Sequence, residues 1–330
     1  MIEVFISNSN SPYYNLAFEE YLVYSYKTKN QILFLWQNDE TIVIGRNQNI
    51  HEQINFESVR KNEINIVRRN TGGGTVFQDM GNICFSLIDN IKEDDKILIN
   101  KTLEPVINFL KKENLNAYFD GKNDIKIDGY KISGSAELKT KDKILVHGTL
   151  MYDVDLSKIR EYLLLNSTKM ESKKIKSNVS VIKNISDFIS VKKNSLDFLN
   201  DMINFFKTQS EIKIMSNDIL KIDQILEQSK NKYQSWDWNY GKSSTFKIIK
   251  EKYFPEIGLI QVNLNIKNGK IEDIKFFGDF LGYEGTEKLE NSLKNSKYVK
   301  EIISKQLGKF DLEKIFAKKI TKDNLLDLIF

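Results

Sequence analysis

Apolar positions in the first half of the chain fall into one helical repeat followed by a series of extended runs. Asn15 to Tyr26 (NLAFEEYLVYSY) carries Leu16, Phe18, Tyr21 and Leu22 at spacings that gather toward one side of a helix. Two apolar runs follow, Ile32–Trp36 and Thr41–Gly45, and the NDE segment between them predicts a hairpin. Ile64–Arg69 and Asn82–Ile88 read as a third and a fourth strand, with a glycine-rich loop between them. Residues 101–114 have helical spacing. The stretches IKIDGYKISGSAEL and KILVHGTLMYDVD read as two more strands, joined by a polar turn at Lys139–Lys143.

The second half changes character. Residues 155–235 are mostly helical in pattern and rich in Lys, Asn and Ser. The aromatic segment SWDWNYGKSS (Ser235–Ser244) marks a junction. Beyond it Ile260, Val262, Leu264 and Ile266 alternate with polar residues as far as Asn268-Gly269, a dipeptide that favours a tight hairpin. KIEDIKFFGDF is the returning strand, and residues 285–330 read as two or three short amphipathic helices. The expected organisation is α+β: a mixed-sheet catalytic domain over 1–240 and a small α+β domain over 246–330.

Composition narrows the picture only a little. The 330 residues are 41% apolar and 11% aromatic, enough for a sizeable core built on packed sheets. The formal charge of +4, from 49 basic and 45 acidic residues, is too small to argue for nucleic-acid binding. A single Cys excludes a disulfide within the chain. The opening MIEVFISNSNSPYYN lacks the basic-then-apolar layout of a signal peptide, and no apolar run approaches the ~20 residues of a membrane span. The expectation is a soluble cytoplasmic protein without a membrane partner.

Two segments carry candidate chemistry. In RRNTGGGTVFQD (Arg68–Asp79), three consecutive glycines give up side-chain packing and let backbone N–H groups approach an anion. Arg68 and Arg69 stand directly before them and offer permanent charge with a planar set of donors. The loop is not a P-loop, which needs Lys-Ser/Thr after its last glycine. Gly241–Ser244 (GKSS) imitates one, but Trp236 stands where the pattern requires glycine. In GKNDIKIDGYKISGSAEL (Gly121–Leu138), Lys131 lies between Gly129 and Gly134, and small residues follow at Ser135 and Ala136. An ammonium there can offset the repulsion between a carboxylate and a phosphate. Asn123-Asp124 offer hard oxygen atoms for Mg²⁺.

Taken in order, these segments resemble the lipoate–protein ligase family. NLAFEEYL is similar to that family's first-helix motif, and LFLWQN and VIGRNQN to its opening hairpin. RRNTGGGTVFQDMGNICFS resembles the signature loop. DGYKISGSA and HGTLMYDVDL resemble the lysine loop and the strand after it, and SWDWNYGKS with NGKIEDIKFFGDF the junction and C-terminal domain. The resemblance implies a biotinyl/lipoyl-transferase fold related to class II aminoacyl-tRNA synthetases. It implies activation of lipoate by ATP and Mg²⁺ to lipoyl-AMP. The acyl group then passes to a lysine of an acceptor lipoyl domain, in a 2-oxoacid dehydrogenase subunit or the glycine-cleavage carrier. Lys131 is the expected catalytic residue, and Asp124 the expected metal ligand. Arg68, Arg69, Gly72, Gly73, Gly74, Thr75, Val76, Phe77, Asn82, Gly134, Ser135, Ala136, His147 and Gly148 are expected around the substrates. His147 suits a structural imidazole better than a general base. The small domain is expected to rotate between the two steps, and the chain to act as a monomer.

Gln78 stands where the family usually has His, and Val179 and Val181 where it has arginines. These departures bear on substrate range and acceptor docking. Three other readings stay open. A lipoyl or octanoyl transferase would work through a thioester, but Cys84 lies inside an apolar strand where thiols are inert. A non-catalytic binder of lipoate or of the carrier is the second, and biotin ligation the third.

Overall fold

The structure, a computed structural model, describes residues 1–50, 53–91, 98–120, 123–164, 181–209, 211–240, 248–267, 269–317 and 319–330. Among the described residues eleven strands precede the junction: β1 (Ile2–Ile6), β2 (Gln31–Trp36), β3 (Thr41–Ile44), β4 (Asn65–Arg68), β5 (Val76–Gln78), β6 (Asn82–Asn90), β7 (Ala117–Phe119), β8 (Asp124–Ile127), β9 (Tyr130–Lys139), β10 (Lys143–Met151) and β11 (Ile212–Ile214). Eight of them make one mixed sheet in the order β11-β1-β2-β6-β10-β9-β8-β7, with β1 parallel to both β11 and β2. A second sheet, β4-β3-β5, holds three strands.

Both faces of the large sheet are covered, which is why β2 reads as a continuous apolar run instead of an alternating one. Leu33, Leu35, Phe85 and Leu87 face one core, beneath α2 (Leu98–Lys112) and the helix Ser195–Lys207. Phe34, Trp36, Cys84 and Ile88 face another, beneath α1 (Pro12–Tyr24). Ser11 caps α1 by accepting from the Tyr14 backbone N–H, and Pro12 at its first position starts the helix three residues before the apolar pattern does.

The hairpin expected between Ile32–Trp36 and Thr41–Gly45 does not form. β2 has β1 on one edge and β6 on the other, so no edge remains for β3, which joins the second sheet. The residues between them bond elsewhere: Asp39 N–H donates to Asn10 O at 2.9 Å, and Asn38 Nδ2 to Gln78 Oε1 at 2.7 Å. The stretch read as one strand around Lys131 is itself a hairpin. Asp128 and Gly129 turn it with φ of 49° and 84°, joining β8 to β9. Strands β1, β5, β7 and β11, and the strand Ile248–Phe254 beyond the junction, were not anticipated. β5 and β11 have three residues each, too few to show a period.

After the junction, β12 (Ile248–Phe254), β13 (Gly258–Lys267) and β14 (Lys270–Gly278) form an antiparallel sheet. Four short helices between Glu287 and Ile329 pack on it around a separate core that includes Val262, Leu264, Ile274 and Phe316. Gly269 has the positive φ expected of that hairpin, at 69°. Asn268, the junction residues 241–247 with the P-loop imitation, Gly121, Lys122 and Val179 lie outside the described residues. The two cores touch near the glycine loop. Gly278 N–H donates to Asn47 O at 2.8 Å, and Arg46 pairs with Glu287 at 3.8 Å. Among the described residues no helix is long and apolar enough to cross a membrane.

Candidate active site

A cavity of about 410 Å³ opens between the large sheet and the glycine loop. The loop leaves β4 at Arg68 and returns through β5. Its path depends on bare backbone at two places: a Cβ on Gly45 would sit 2.0 Å from Gly73 O, and one on Gly72 would sit 2.5 Å from Phe280 O in the C-terminal unit. Gly73 has φ of 87°, a conformation in which glycine is unstrained.

The two arginines behave differently. Arg68 is fully buried, and its guanidinium donates to the carbonyls of Gly45 (3.0 Å), Gln48 (2.7 Å), Trp238 (3.1 Å) and Asn239 (2.9 Å). The Trp238 indole N–H returns a bond to Arg68 O at 2.7 Å. Arg68 therefore ties the junction segment to the loop after β3, behind the cavity. Arg69 lines the cavity and is wrapped by the loop itself. It donates from Nη2 to Gly72 O (2.6 Å) and Gly74 O (2.8 Å), from Nη1 to Val43 O (3.2 Å), and from Nε to Thr71 Oγ1 (2.9 Å). Four of its five N–H groups are engaged, and one on Nη1 has no partner among the described residues. Burial lowers both guanidinium groups to about 10; each feels a neighbour too, Arg68 lowered further by Arg69, and Arg69 held up by Glu19.

A buried polar chain holds Arg69 from below. His147 Nε2 lies 2.7 Å from Thr71 Oγ1, and His147 Nδ1 lies 2.8 Å from Glu19 Oε1. The Ser86 hydroxyl donates to the same Glu19 oxygen. One tautomer satisfies every bond: Nδ1–H donates to the carboxylate, and Nε2 accepts from the threonine hydroxyl. His147 is thus hydrogen-bonded through both ring nitrogens. Glu20, next along α1, accepts from Tyr233 Oη (2.6 Å), Lys232 Nζ (2.8 Å) and Asn70 Nδ2 (3.1 Å). Consecutive carboxylates on α1 therefore anchor Asn70 and Thr71, the residues between Arg69 and the glycines.

Across the cavity, Lys131 Nζ pairs with Asp124 Oδ1 at 2.7 Å. Its ammonium also lies against Gly134, where a Cβ would stand 3.2 Å from Nζ. Apolar residues Leu16, Trp36, Val43 and Cys84 line another part of the wall. Burial pushes the Cys84 thiol far up, with Glu19 adding to the effect, so the thiolate is suppressed.

The structure thus gathers Arg69, Gly73 to Phe77, Lys131, Gly134 to Ala136, His147 and Gly148 around one space. Arg68 and Gly72 stand behind the loop. Asn82 is buried at the start of β6, opposite Met151, and its Oδ1 has no partner among the described residues. Asp124 reaches the site through Lys131. Val181 is exposed. Reading the sequence missed Glu19, Trp36, Asn38 and Asp279, of which the last three line the cavity. Glu19 left a signal: it lies three residues from both Leu16 and Leu22, on the apolar side of α1, where an unpartnered carboxylate does not belong. Asp279 left none, because it arrives from the C-terminal unit.

The lipoyl protein ligase A/B catalytic domain matches residues 11–207, and the bacterial lipoate protein ligase C-terminus matches residues 243–329. The chain belongs to the lipoate–protein ligase A family. It is 37% identical to a probable lipoate-protein ligase A of Mycoplasma pneumoniae, over 99% of this chain and 97% of that protein. It is 40% identical to the lipoate-protein ligase LplJ of Bacillus subtilis, over 98% of each. Among solved structures, P. falciparum LipL1 in complex with lipoate superposes with a TM-score of 0.76 at 28% identity, covering 99% of this chain and 97% of that one. A lipoate-protein ligase A bound with ATP gives 0.60 at 25% identity, over 73% of this chain and 98% of that one. An archaeal bi-partite lipoate protein ligase, described with its E2 lipoyl domain from Thermoplasma acidophilum, gives 0.61 at 26%, over 75% and 98%.

Proposed function

We propose that this chain is an ATP-dependent lipoate–protein ligase that works as a cytoplasmic monomer and joins lipoate to a lysine of an acceptor lipoyl domain. One observation carries the reading: a single cavity brings Lys131, Arg69 and the Gly73–Thr75 backbone together with the apolar wall of Leu16, Trp36, Val43 and Cys84. Lipoate has an apolar ring and tail ending in a carboxylate, and the wall supplies both kinds of surface. The relatives' names support lipoate as substrate, and the ATP-bound member of the family supports the nucleotide.

In the first step a carboxylate oxygen of lipoate attacks the α-phosphorus of ATP. A P–O bond forms as the bond to the pyrophosphate oxygen breaks, giving lipoyl-AMP. Two anions meet, so the barrier depends on cations already in place. The Lys131 ammonium, steadied by Asp124, and the remaining Nη1–H of Arg69 are those groups. In the second step the acceptor's lysine amine attacks the acyl carbonyl, an amide forms, and AMP leaves. His147 takes no part in either step of this reading, since its ring nitrogens are hydrogen-bonded to Glu19 and Thr71.

Magnesium fits as a companion of the nucleotide. Among the described residues no three His, Cys, Asp or Glu side chains cluster to cage an ion. Mg²⁺ that arrives on phosphates takes only one or two protein oxygens. Asp124 is the residue that would hold it, and the ion would neutralise phosphate charge. Lipoyl domains of 2-oxoacid dehydrogenases and the glycine-cleavage carrier are the acceptors of suitable chemistry, and the Thermoplasma pair supports the former.

The test is pyrophosphate release on adding lipoate and MgATP, followed by the mass shift of a lipoyl domain. Release without a carrier, then a shift that requires ATP, is the expected result. A shift that proceeds without ATP and stops in Cys84→Ala would establish thioester transfer instead.

A further inference from the structure

The apolar part of the cavity contains two hydrogen-bond donors that the two-step reaction above makes no use of. The first is Trp36, whose indole Nε1–H is buried and has no partner among the described residues. The second is Gln78. Asn15, fully buried, donates from Nδ2 to Ser9 O (2.9 Å), to Gln37 O (3.2 Å) and to Asn38 Oδ1 (2.8 Å). Backbone carbonyls only accept, so these partners identify the Asn15 nitrogen. Asn38 therefore turns its oxygen toward Asn15 and its Nδ2 toward Gln78 Oε1, 2.7 Å away. With that oxygen occupied, Gln78 offers Nε2, which has no partner among the described residues.

Both side chains line the cavity, and they do so from the same side. On β5, Val76 and Gln78 stand opposite Val43 and Thr41 of β3, and Phe77 stands opposite Ile42. Val43 and Val76 pack in the core that holds Trp36 and Cys84, whereas Ile42 and Phe77 pack in another. Alternation along the strand puts Gln78 on the Val43 face, toward Trp36. The cavity floor gives the direction of the slot. Trp36, Cys84 and Thr149 stand in register across β2, β6 and β10. Gly148, beside Thr149, pairs with Ser135 of β9, next to Gly134 and the Lys131 ammonium. Neighbouring strands lie ~4.8 Å apart, so the three spacings from β2 to β9 separate Trp36 from the lysine end by about 14 Å. A carboxylate held at Lys131 extends its chain over Cys84, and an acyl chain of lipoate's length ends beside Trp36 and Gln78.

We propose that Trp36 Nε1–H and Gln78 Nε2–H donate to the dithiolane sulfurs of lipoate, and that this pair makes the chain prefer lipoate to sulfur-free acids of the same size. This rests on the reading that lipoate occupies the cavity with its carboxylate at Lys131. Divalent sulfur is a weak acceptor, so each bond adds little by itself. The discrimination comes from the alternative. A hydrocarbon end displaces water from both donors and returns nothing, and a buried donor without a partner loses more than the weak bond gains. Gln78 stands where the family usually has His, and an amide, unlike an imidazole, does not titrate near neutral pH.

The experiment measures kcat/KM for pyrophosphate release at saturating MgATP, with a lipoyl domain supplied for turnover. The two acids are lipoate and its carbocyclic analogue, in which CH₂ replaces each ring sulfur. Wild type, Trp36→Phe, Gln78→Leu and the double variant are compared. The ratio between the acids does not depend on how much of a variant is folded, so a folding defect does not imitate the expected result. Wild type should favour lipoate roughly ten-fold, each single variant less, and the double variant should treat the acids alike. Equal kcat/KM for the two acids in wild type, or a preference undiminished in both single variants, would overturn the proposal and leave the ligase reading intact. Wild-type protein that released no pyrophosphate with either acid would overturn both.

Discussion

Replacing Glu19 by Leu tests whether the helix carboxylate holds the glycine loop. Glu19 is 1% exposed, and one of its oxygens accepts from both His147 Nδ1–H and the Ser86 hydroxyl. Leucine fills a similar space and strands both donors. An unsatisfied buried donor costs about 1–3 kcal/mol, so the pair predicts a loss of roughly 2–6 kcal/mol, out of the 5–15 typical of a domain. Gln keeps an oxygen that can accept both bonds, and Glu19→Gln should lose only about 1 kcal/mol. Removing one stranded donor with Ser86→Ala in the Leu background should restore part of the loss. Tryptophan fluorescence during urea unfolding is a clean assay: the three tryptophans, Trp36, Trp236 and Trp238, all precede the C-terminal unit. Its transition therefore reports the catalytic unit alone. Glu19→Leu within ~0.5 kcal/mol of wild type, a surface-like effect, would refute the reasoning. So would Glu19→Gln being as damaging as Glu19→Leu.

Three further outcomes are expected. Lys131→Ala should slow pyrophosphate release by about 10²–10³ with little change in the urea midpoint, because its side chain is 27% exposed and near-normal turnover would remove it from the site. Gly45→Ala should disrupt nucleotide binding, since its Cβ would meet Gly73 O at 2.0 Å, while Gly74→Ala, with nothing within 4 Å, should leave ATP affinity within a few-fold in a titration. At Glu20, burial alone would raise the carboxyl, but Lys232, Tyr233 and Asn70 outweigh it and leave it below the ordinary 4.5. A folded value below the unfolded one contributes stability that is complete above about 4.5 and is lost as pH falls through the folded value. Glu20→Gln should therefore flatten the acid limb of a thermal-melt series, and an unchanged limb would contradict the assignment.

Much of the site was legible before any coordinates. The triple glycine, Arg69 and Lys131 are residue choices that packing does not explain, and chemistry of that kind survives being read one residue at a time. The paired roles of Arg68 and Arg69 were not legible. They are the same residue type and adjacent at the end of β4, where successive side chains leave opposite faces. One meets the junction carbonyls and the other the loop, and only the surroundings of β4 make that difference.

The longer strands, the α+β class and the hairpin that turns at Gly269 follow from local signals: a turn residue with φ > 0 and apolar runs long enough to show a period. What local signals cannot contain is which edge a strand pairs with. β2 and β3 are four residues apart, yet they lie in different sheets because β1 and β6 had already taken both edges of β2. The same holds at the cavity. Sequence supplied the cations and the bare backbone, while tertiary packing chose what holds the loop, a carboxylate from α1 and a histidine from β10, and brought an aspartate of the C-terminal unit to the cavity wall. Those partners come from distant parts of the chain, and hydrogen bonds over such separations are specified by the packed fold, not by the spacing of residues along it.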